Sequence, residues 1–79
     1  MNPRIKQVTC KDNRNLIITF NNGEVKLFDM SRYFEYPVFE PLKDPAFFNK
    51  AHVLQGTVAW NDELDVDPDT LYLEGTSLN

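Results

Sequence analysis

Apolar positions alternate with polar ones in short runs along the first third of the chain, and turn residues separate the runs. Residues 4–11 carry Ile5, Val8 and Cys10, and the polar stretch Lys11-Asp12-Asn13-Arg14-Asn15 that follows has the composition of a turn. Leu16–Phe20 and Glu24–Phe28 then flank Asn21-Asn22-Gly23. Asn-Gly between apolar runs is the strongest short hairpin signal, because both residues tolerate positive φ. A two-residue loop at Asn22-Gly23 pairs Phe20 with Val25, Ile18 with Leu27 and Leu16 with Asp29. That register puts Leu16, Ile18, Phe20, Val25 and Leu27 on one face and sets Ile17 opposite Phe28 on the other. The predicted core is therefore Ile18, Phe20, Leu27, Val58 and Trp60. The second face is expected to be partly covered by a helix or by another chain.

The pattern changes after Asp29. Asp29 or Ser31 can cap a short helix that must end by Tyr36, because the residue before Pro37 is steered away from helical geometry. Phe39–Leu42 reads as a connector. Asp44-Pro45 is a helix start, with Asp44 as cap and proline at the first helical position. A second hairpin is expected over Ala51–Trp60, with Gln55-Gly56 as its loop, Val53 facing Val58 and Ala51 facing Trp60. Asp67-Pro68-Asp69 opens a last helix through Thr70-Leu71-Tyr72-Leu73, with Gly75 as its stop. The order is three strands, short helices, two strands and a short C-terminal helix. Hairpin-linked strands with helices grouped on one side predict an α+β fold with a mostly antiparallel sheet, formed as one domain over residues 1–79.

Composition narrows the function classes. The chain has 79 residues, of which 42% are hydrophobic, 13% aromatic and 25% charged, which is globular rather than disordered. No apolar run approaches the ~20 residues of a membrane span. The start Met1-Asn2-Pro3-Arg4 lacks an apolar signal core, and the one cysteine has no internal disulfide partner. A cytoplasmic protein is expected. Charge is unevenly spread: residues 1–50 hold every Lys and Arg and net +2, whereas residues 51–79 hold six carboxylates, no Lys or Arg, and net −6. Most charge runs are solvated faces, but one sign gathered in a structured segment can also steer a partner of the opposite sign.

None of the chemistry-bearing residues falls into a catalytic pattern. His52, the only histidine, lies opposite Ala59 in the hairpin register, and spacing marks neither a nucleophile nor an orienting acid for it. Cys10 has Lys6 and Lys11 nearby in sequence, yet a free cysteine at a strand position is most often a small buried residue. Asp65-x-Asp67-x-Asp69 imitates the start of a calcium loop and fails it, with Thr70 where glycine is needed and Thr76 where a bidentate glutamate is needed. The three glycines stand far apart, so no phosphate-binding loop is present. No cofactor and no metal are expected. Direct nucleic-acid binding is not expected either, since the pI is about 4.7 and phosphate contacts need a basic surface.

The residues taken in order resemble a bacterial family of small uncharacterised proteins catalogued as domain of unknown function 2442. The resemblance rests on the strand Arg4–Cys10, then Leu16-Ile17-Ile18-Thr19-Phe20-Asn21-Asn22-Gly23-Glu24 and Lys26-Leu27-Phe28-Asp29. It continues through Phe39-x-x-Leu42-x-Asp44-x-x-x-Phe48 and Gly56-x-Val58-x-Trp60 to Leu64-Asp65-Val66-Asp67-Pro68-Asp69-x-Leu71-Tyr72. It implies a compact α+β domain without demonstrated catalytic residues. It also implies a genomic pairing with a second small family, domain of unknown function 4160, and through it a toxin–antitoxin-like role.

An interaction domain is therefore expected, binding a protein that is either a second copy or a genomically paired small protein. A homodimer is expected where no other partner is present. The alternatives are a small ligand-binding protein or enzyme with an unmarked site, and a regulator touching nucleic acid through its first strand. The candidate interface residues are Ile17 and Phe28 on the second sheet face, Tyr33, Tyr36 and Phe39 in the aromatic stretch, and Asp62 and Glu63 in the acidic third. Too many aromatics crowd that stretch for one short helix to bury, and exposed aromatic patches mark interfaces.

Overall fold

The computed structural model describes residues 2–79. In chain order the elements are β1 (Ile5–Lys11), β2 (Asn15–Phe20), β3 (Val25–Asp29), 3₁₀ helices at Met30–Tyr33 and Pro37–Lys43, α1 (Pro45–Phe48), β4 (His52–Leu54), β5 (Thr57–Ala59), β6 (Asp65–Val66), α2 (Pro68–Glu74) and β7 (Thr76–Ser77). The fold is α+β, as the pattern of elements implies. The strands form two antiparallel sheets, one in the order β1-β2-β3-β7 and one in the order β4-β5-β6. The short strands β6 and β7 are additions to the five that the apolar runs predict, and each extends its sheet by two residues.

The first hairpin forms, but one residue out of the expected register. Thr19 pairs with Val25, Ile18 with Lys26, Ile17 with Leu27 and Leu16 with Phe28. The cause is the turn. Phe20 N donates to Glu24 O at 2.8 Å and Gly23 N to Phe20 O at 3.0 Å, so the loop holds three residues, Asn21 to Gly23. Gly23 takes φ +92°, whereas Asn22 is not among the residues with positive φ, as a two-residue Asn-Gly turn would require. The extra residue flips β3 over. Phe28 joins Leu16, Ile18 and Phe20 in the core, fully buried. Leu27, expected in that core, is only half-buried and lies on the outer face with Ile17, Thr19 and Val25.

The β4–β5 hairpin has the expected register, Val53 opposite Val58 and His52 opposite Ala59. Its turn residues Gln55 and Gly56 both take positive φ, 52° and 81°. This turn ties the sheets together. Ile5 N donates to Gly56 O at 3.1 Å and Arg4 Nη2 to Gln55 O at 2.5 Å. A Cβ at Gly56 would lie 2.3 Å from Nε of the exposed Arg4 side chain, which would have to move aside, and the positive φ is what favours glycine there.

Asp29 caps the first 3₁₀ helix, accepting from Ser31 N at 2.9 Å, and Asp44 caps α1 through Ala46 N at 3.1 Å. Phe39–Leu42, expected as a connector, lies within the second 3₁₀ helix, Pro37–Lys43, with Pro37 at its first position. Asp67 stands at the cap of α2 without a side-chain capping bond, which leaves its carboxylate free. The core lies between the sheets and under the helices, with Phe20, Phe28, Phe48, Met30, Leu42 and Leu71 fully buried. Trp60 closes it, 3% exposed, with Nε1 donating to Phe48 O at 2.8 Å.

Candidate functional site

The first 3₁₀ helix, β6 and α2 converge around a concave pocket of about 240 Å³. Each wall follows from local sequence. The Asp29 cap starts a 3₁₀ turn in which Met30 and Tyr33, three residues apart, lie on one side, so buried Met30 sits at the pocket floor and Tyr33 on its wall. Alternation along β6 turns Val66 inward, 7% exposed, and leaves Asp65 and Asp67 at the surface on either side. Asp67, Thr70 and Glu74 follow helical spacing onto one side of α2, and Phe39 of the second 3₁₀ helix completes the lining.

The aromatic wall is held from behind. Tyr33 stacks on buried Phe28 with centroids 5.7 Å apart and planes 15° from parallel, and Tyr36 and Phe39 lie 5.8 and 6.0 Å from it. The Tyr33 hydroxyl donates to Glu74 Oε1 at 2.5 Å. That hydrogen bond, with burial and the Glu74 charge behind it, pushes the phenol's pKa up, so Tyr33 stays a donor at neutral pH. Glu74 also meets Arg32 Nη1 at 3.6 Å, in a pair whose side chains are 49% and 43% exposed. This is the one ion pair among the described residues, so Asp65 and Asp67 face the pocket without a cation beside them.

The arrangement combines an apolar floor, an aromatic wall and three carboxylates on the rim. It matches an amphipathic cation, whose methylenes can lie on Met30, Val66 and Phe39 while its charged end meets the carboxylates. No His, Cys or Lys lines the pocket beside the two hydroxyls, Tyr33 and Thr70. Elsewhere, His52 is exposed, with Nδ1 3.0 Å from Lys50 O. Burial raises the Cys10 pKa and makes it a poorer nucleophile at neutral pH. Among the described residues no three His, Cys, Asp or Glu side chains form a metal-binding group, and no helix is long and apolar enough to cross a membrane.

The structure brings some of the candidate interface residues together and separates others. Tyr33 and Phe39 line the pocket, and Tyr36 stands next to Tyr33, 55% exposed. Phe28 is buried behind Tyr33 and offers no surface, because the register shift turns it into the core. Ile17 lies on the outer sheet face, away from the pocket. Asp62 and Glu63 are exposed on the loop before β6, where Asn61 Oδ1 accepts from Glu63 N and Leu64 N, and neither lines the pocket. The acids that do are Asp65, Asp67 and Glu74. The spacing of Asp67, Thr70 and Glu74 along α2 is the sequence signal that marks two of them, and Asp65 is placed by β6.

Neither the search of curated proteins nor that of solved structures returned a match. A family model matches residues 5–77, nearly the whole chain, and the chain therefore belongs to the family described as Protein of unknown function (DUF2442).

Proposed function

We propose that this protein is a non-catalytic interaction domain whose pocket receives a basic side chain, arginine or lysine, from a protein partner. The observation that carries the reading is the pocket itself: about 240 Å³ with an apolar floor and Asp65, Asp67 and Glu74 on its rim. The exposed Tyr36 ring and Val38, 61% exposed, extend the contact area beyond it. The net −6 of residues 51–79 adds a field that attracts a basic surface and speeds encounter. Resemblance to a family that implies a paired small protein points the same way, and a paired, toxin–antitoxin-like assembly is the setting this reading favours.

Titration of isotope-labelled protein with the amides of N-acetyl-arginine, N-acetyl-lysine and N-acetyl-norleucine, followed by NMR, tests the proposal. The basic amides should shift the resonances of Met30, Val66 and Thr70 with millimolar affinity that falls with added salt. Norleucine amide should not bind, and Asp65→Asn with Asp67→Asn should abolish the shifts. Equal binding of norleucine amide, or no shift at the pocket with any of the three, overturns it.

A further inference from the structure

We infer that the pocket selects arginine over lysine: it receives a guanidinium carried on a peptide, held between Asp65 and Asp67 and stacked on the aromatic wall. The inference rests on the reading of the pocket as a receptor for a basic side chain, and it names which one. A guanidinium already lies against the outside of that wall. The chain's own Arg32 sits over the buried Phe28 ring, 5.0 Å from its centroid, and 5.9 Å from that of Tyr33, and its Nη1 meets Glu74 Oε1 at 3.6 Å. Arg32 itself does not line the pocket. Tyr33 and Glu74, which do, are thus met from outside by one guanidinium. The same pairing of rings with carboxylates is open on the inner side, where Tyr33 and Phe39 share the lining with Asp65 and Asp67.

The polar side chains of the lining are mostly acceptors. The three carboxylates only accept, and the Tyr33 proton is already given to Glu74, which leaves the Thr70 hydroxyl as the one free donor. Two of the carboxylates are uncommitted. Asp29 and Asp44 spend their side chains on capping, whereas Asp67 heads α2 without a capping bond. Neither Asp65 nor Asp67 has a cation beside it among the described residues. They stand two residues apart on an extended segment, so their Cα atoms lie about 6.6 Å apart and both side chains leave the same side. That span suits a planar fork. A guanidinium can pair one carboxylate along each of two edges while its face lies on a ring, and it sheds its hydration water at lower cost than an ammonium. An ammonium gives its bonds from a single point, cannot stack, and must lose tightly held water to approach the Met30 and Val66 floor. The Tyr33 and Phe39 rings stand 70° apart, so one can lie on the guanidinium plane while the other flanks the methylenes.

NMR titration of the whole chain with the N-acetyl amides of arginine, lysine, citrulline and asymmetric dimethylarginine tests the inference. Citrulline keeps the shape of arginine without its charge, and dimethylation keeps the charge but blocks the fork. Arginine amide should bind at least tenfold tighter than lysine amide, citrulline amide should not bind, and dimethylation should lower the affinity to the lysine level. Free L-arginine should bind more weakly than its blocked amide, because its own carboxylate meets an acidic rim. Phe39→Leu keeps an apolar group at a half-buried site, and Asp67→Asn changes an exposed one. Each should narrow the arginine-to-lysine ratio below threefold with far-UV circular dichroism that matches the parent. Lysine amide binding as tightly as arginine amide overturns the inference and leaves the basic-side-chain reading standing, as does an arginine preference that survives dimethylation and both substitutions. Tighter binding of free arginine than of its amide makes the ligand a free amino acid and overturns the inference as well. Binding of neither basic amide overturns it together with the reading on which it rests.

Discussion

Replacing Trp60 with alanine tests the core most directly. The indole is 3% exposed, its ring centroid lies 6.3 Å from that of Phe48, and Nε1 donates to Phe48 O at 2.8 Å. Truncating a buried tryptophan costs ~3–5 kcal/mol, from lost burial and the cavity left behind. The broken hydrogen bond adds little, because Phe48 O keeps the Ala51 amide at 3.3 Å and the Cys10 thiol at 3.5 Å. A carbonyl left wholly unpaired would add ~1–3 kcal/mol. At ~0.05–0.15 kcal/mol per residue the whole chain is stable by about 4–12 kcal/mol, so the substitution removes from a quarter to all of it. Urea unfolding followed by far-UV circular dichroism measures the loss without relying on the tryptophan signal. Trp60→Phe keeps most of the ring volume and gives up only the N–H donor, so it should cost less than half as much as alanine. A Trp60→Ala loss below ~1 kcal/mol, the size of an ordinary surface change, refutes the burial argument. Equal losses for alanine and phenylalanine would move the stabilisation from packing to the hydrogen bond.

The register shift makes its own prediction: Phe28→Ala should cost ~3–5 kcal/mol and Leu27→Ala less than ~1 kcal/mol by the same unfolding assay, and the reverse order restores the two-residue turn. Hydrogen bonds from Ser31 lower the Asp29 pKa, so its contribution is present above the ordinary carboxylate range and is lost as pH falls through the folded value; Asp29→Asn should flatten the acid limb of stability against pH. The Tyr33 pKa is raised by its hydrogen bond to Glu74, so that contribution is full below the ordinary phenol value of ~10 and is lost as pH rises through the folded one; Tyr33→Phe should flatten the alkaline limb. Gly56→Ala should destabilise by about 1 kcal/mol or more, because φ there is +81°, while Gln55→Gly in the same turn should be neutral or stabilising.

The sequence carries the strand order well and the first register poorly, for one local reason. Alternation fixes which residues of a strand share a face, but only the turn fixes how two strands align. Leu16, Ile18 and Phe20 are buried as alternation requires. Asn22-Gly23 reads as a two-residue turn, yet Asn22 Oδ1 accepts from Glu24 N at 3.0 Å, an Asx arrangement that favours a loop one residue longer. Both registers also give β3 an acceptable pattern, since Val25 and Leu27 are apolar and Lys26 and Phe28 share the other parity. The structure accommodates Lys26 on the core side of β3, between Ile18 and Ser77, as a half-buried residue. Its Nζ donates to Tyr72 O at 2.5 Å and lies 4.0 Å from the Tyr72 ring centroid, so the charge is never stranded. The second hairpin has no such ambiguity, because Gln55 and Gly56 both take the positive φ of a two-residue turn.

The pocket was legible only in parts, because it forms where segments distant in sequence meet. Tyr33 and Phe39 stand out as aromatics too numerous to bury, and the acidic third stands out by charge. Nothing local says that Glu74 closes on Tyr33, 41 residues away, or that Phe28 buttresses that ring. The same register shift that misplaces Phe28 in a reading of the hairpin puts it behind Tyr33, and so connects the core to the pocket wall. Asp62 and Glu63 draw the eye as the densest charge, but Asn61 folds their loop back through its side chain. The acids that reach the pocket are those placed by a strand and a helix, Asp65 by β6 and Glu74 by α2. Position on a regular element, rather than density along the chain, decides which carboxylates share a concave surface. This is why Asp65, Asp67 and Glu74 share the pocket while Asp62 and Glu63, close by in sequence, stay outside it.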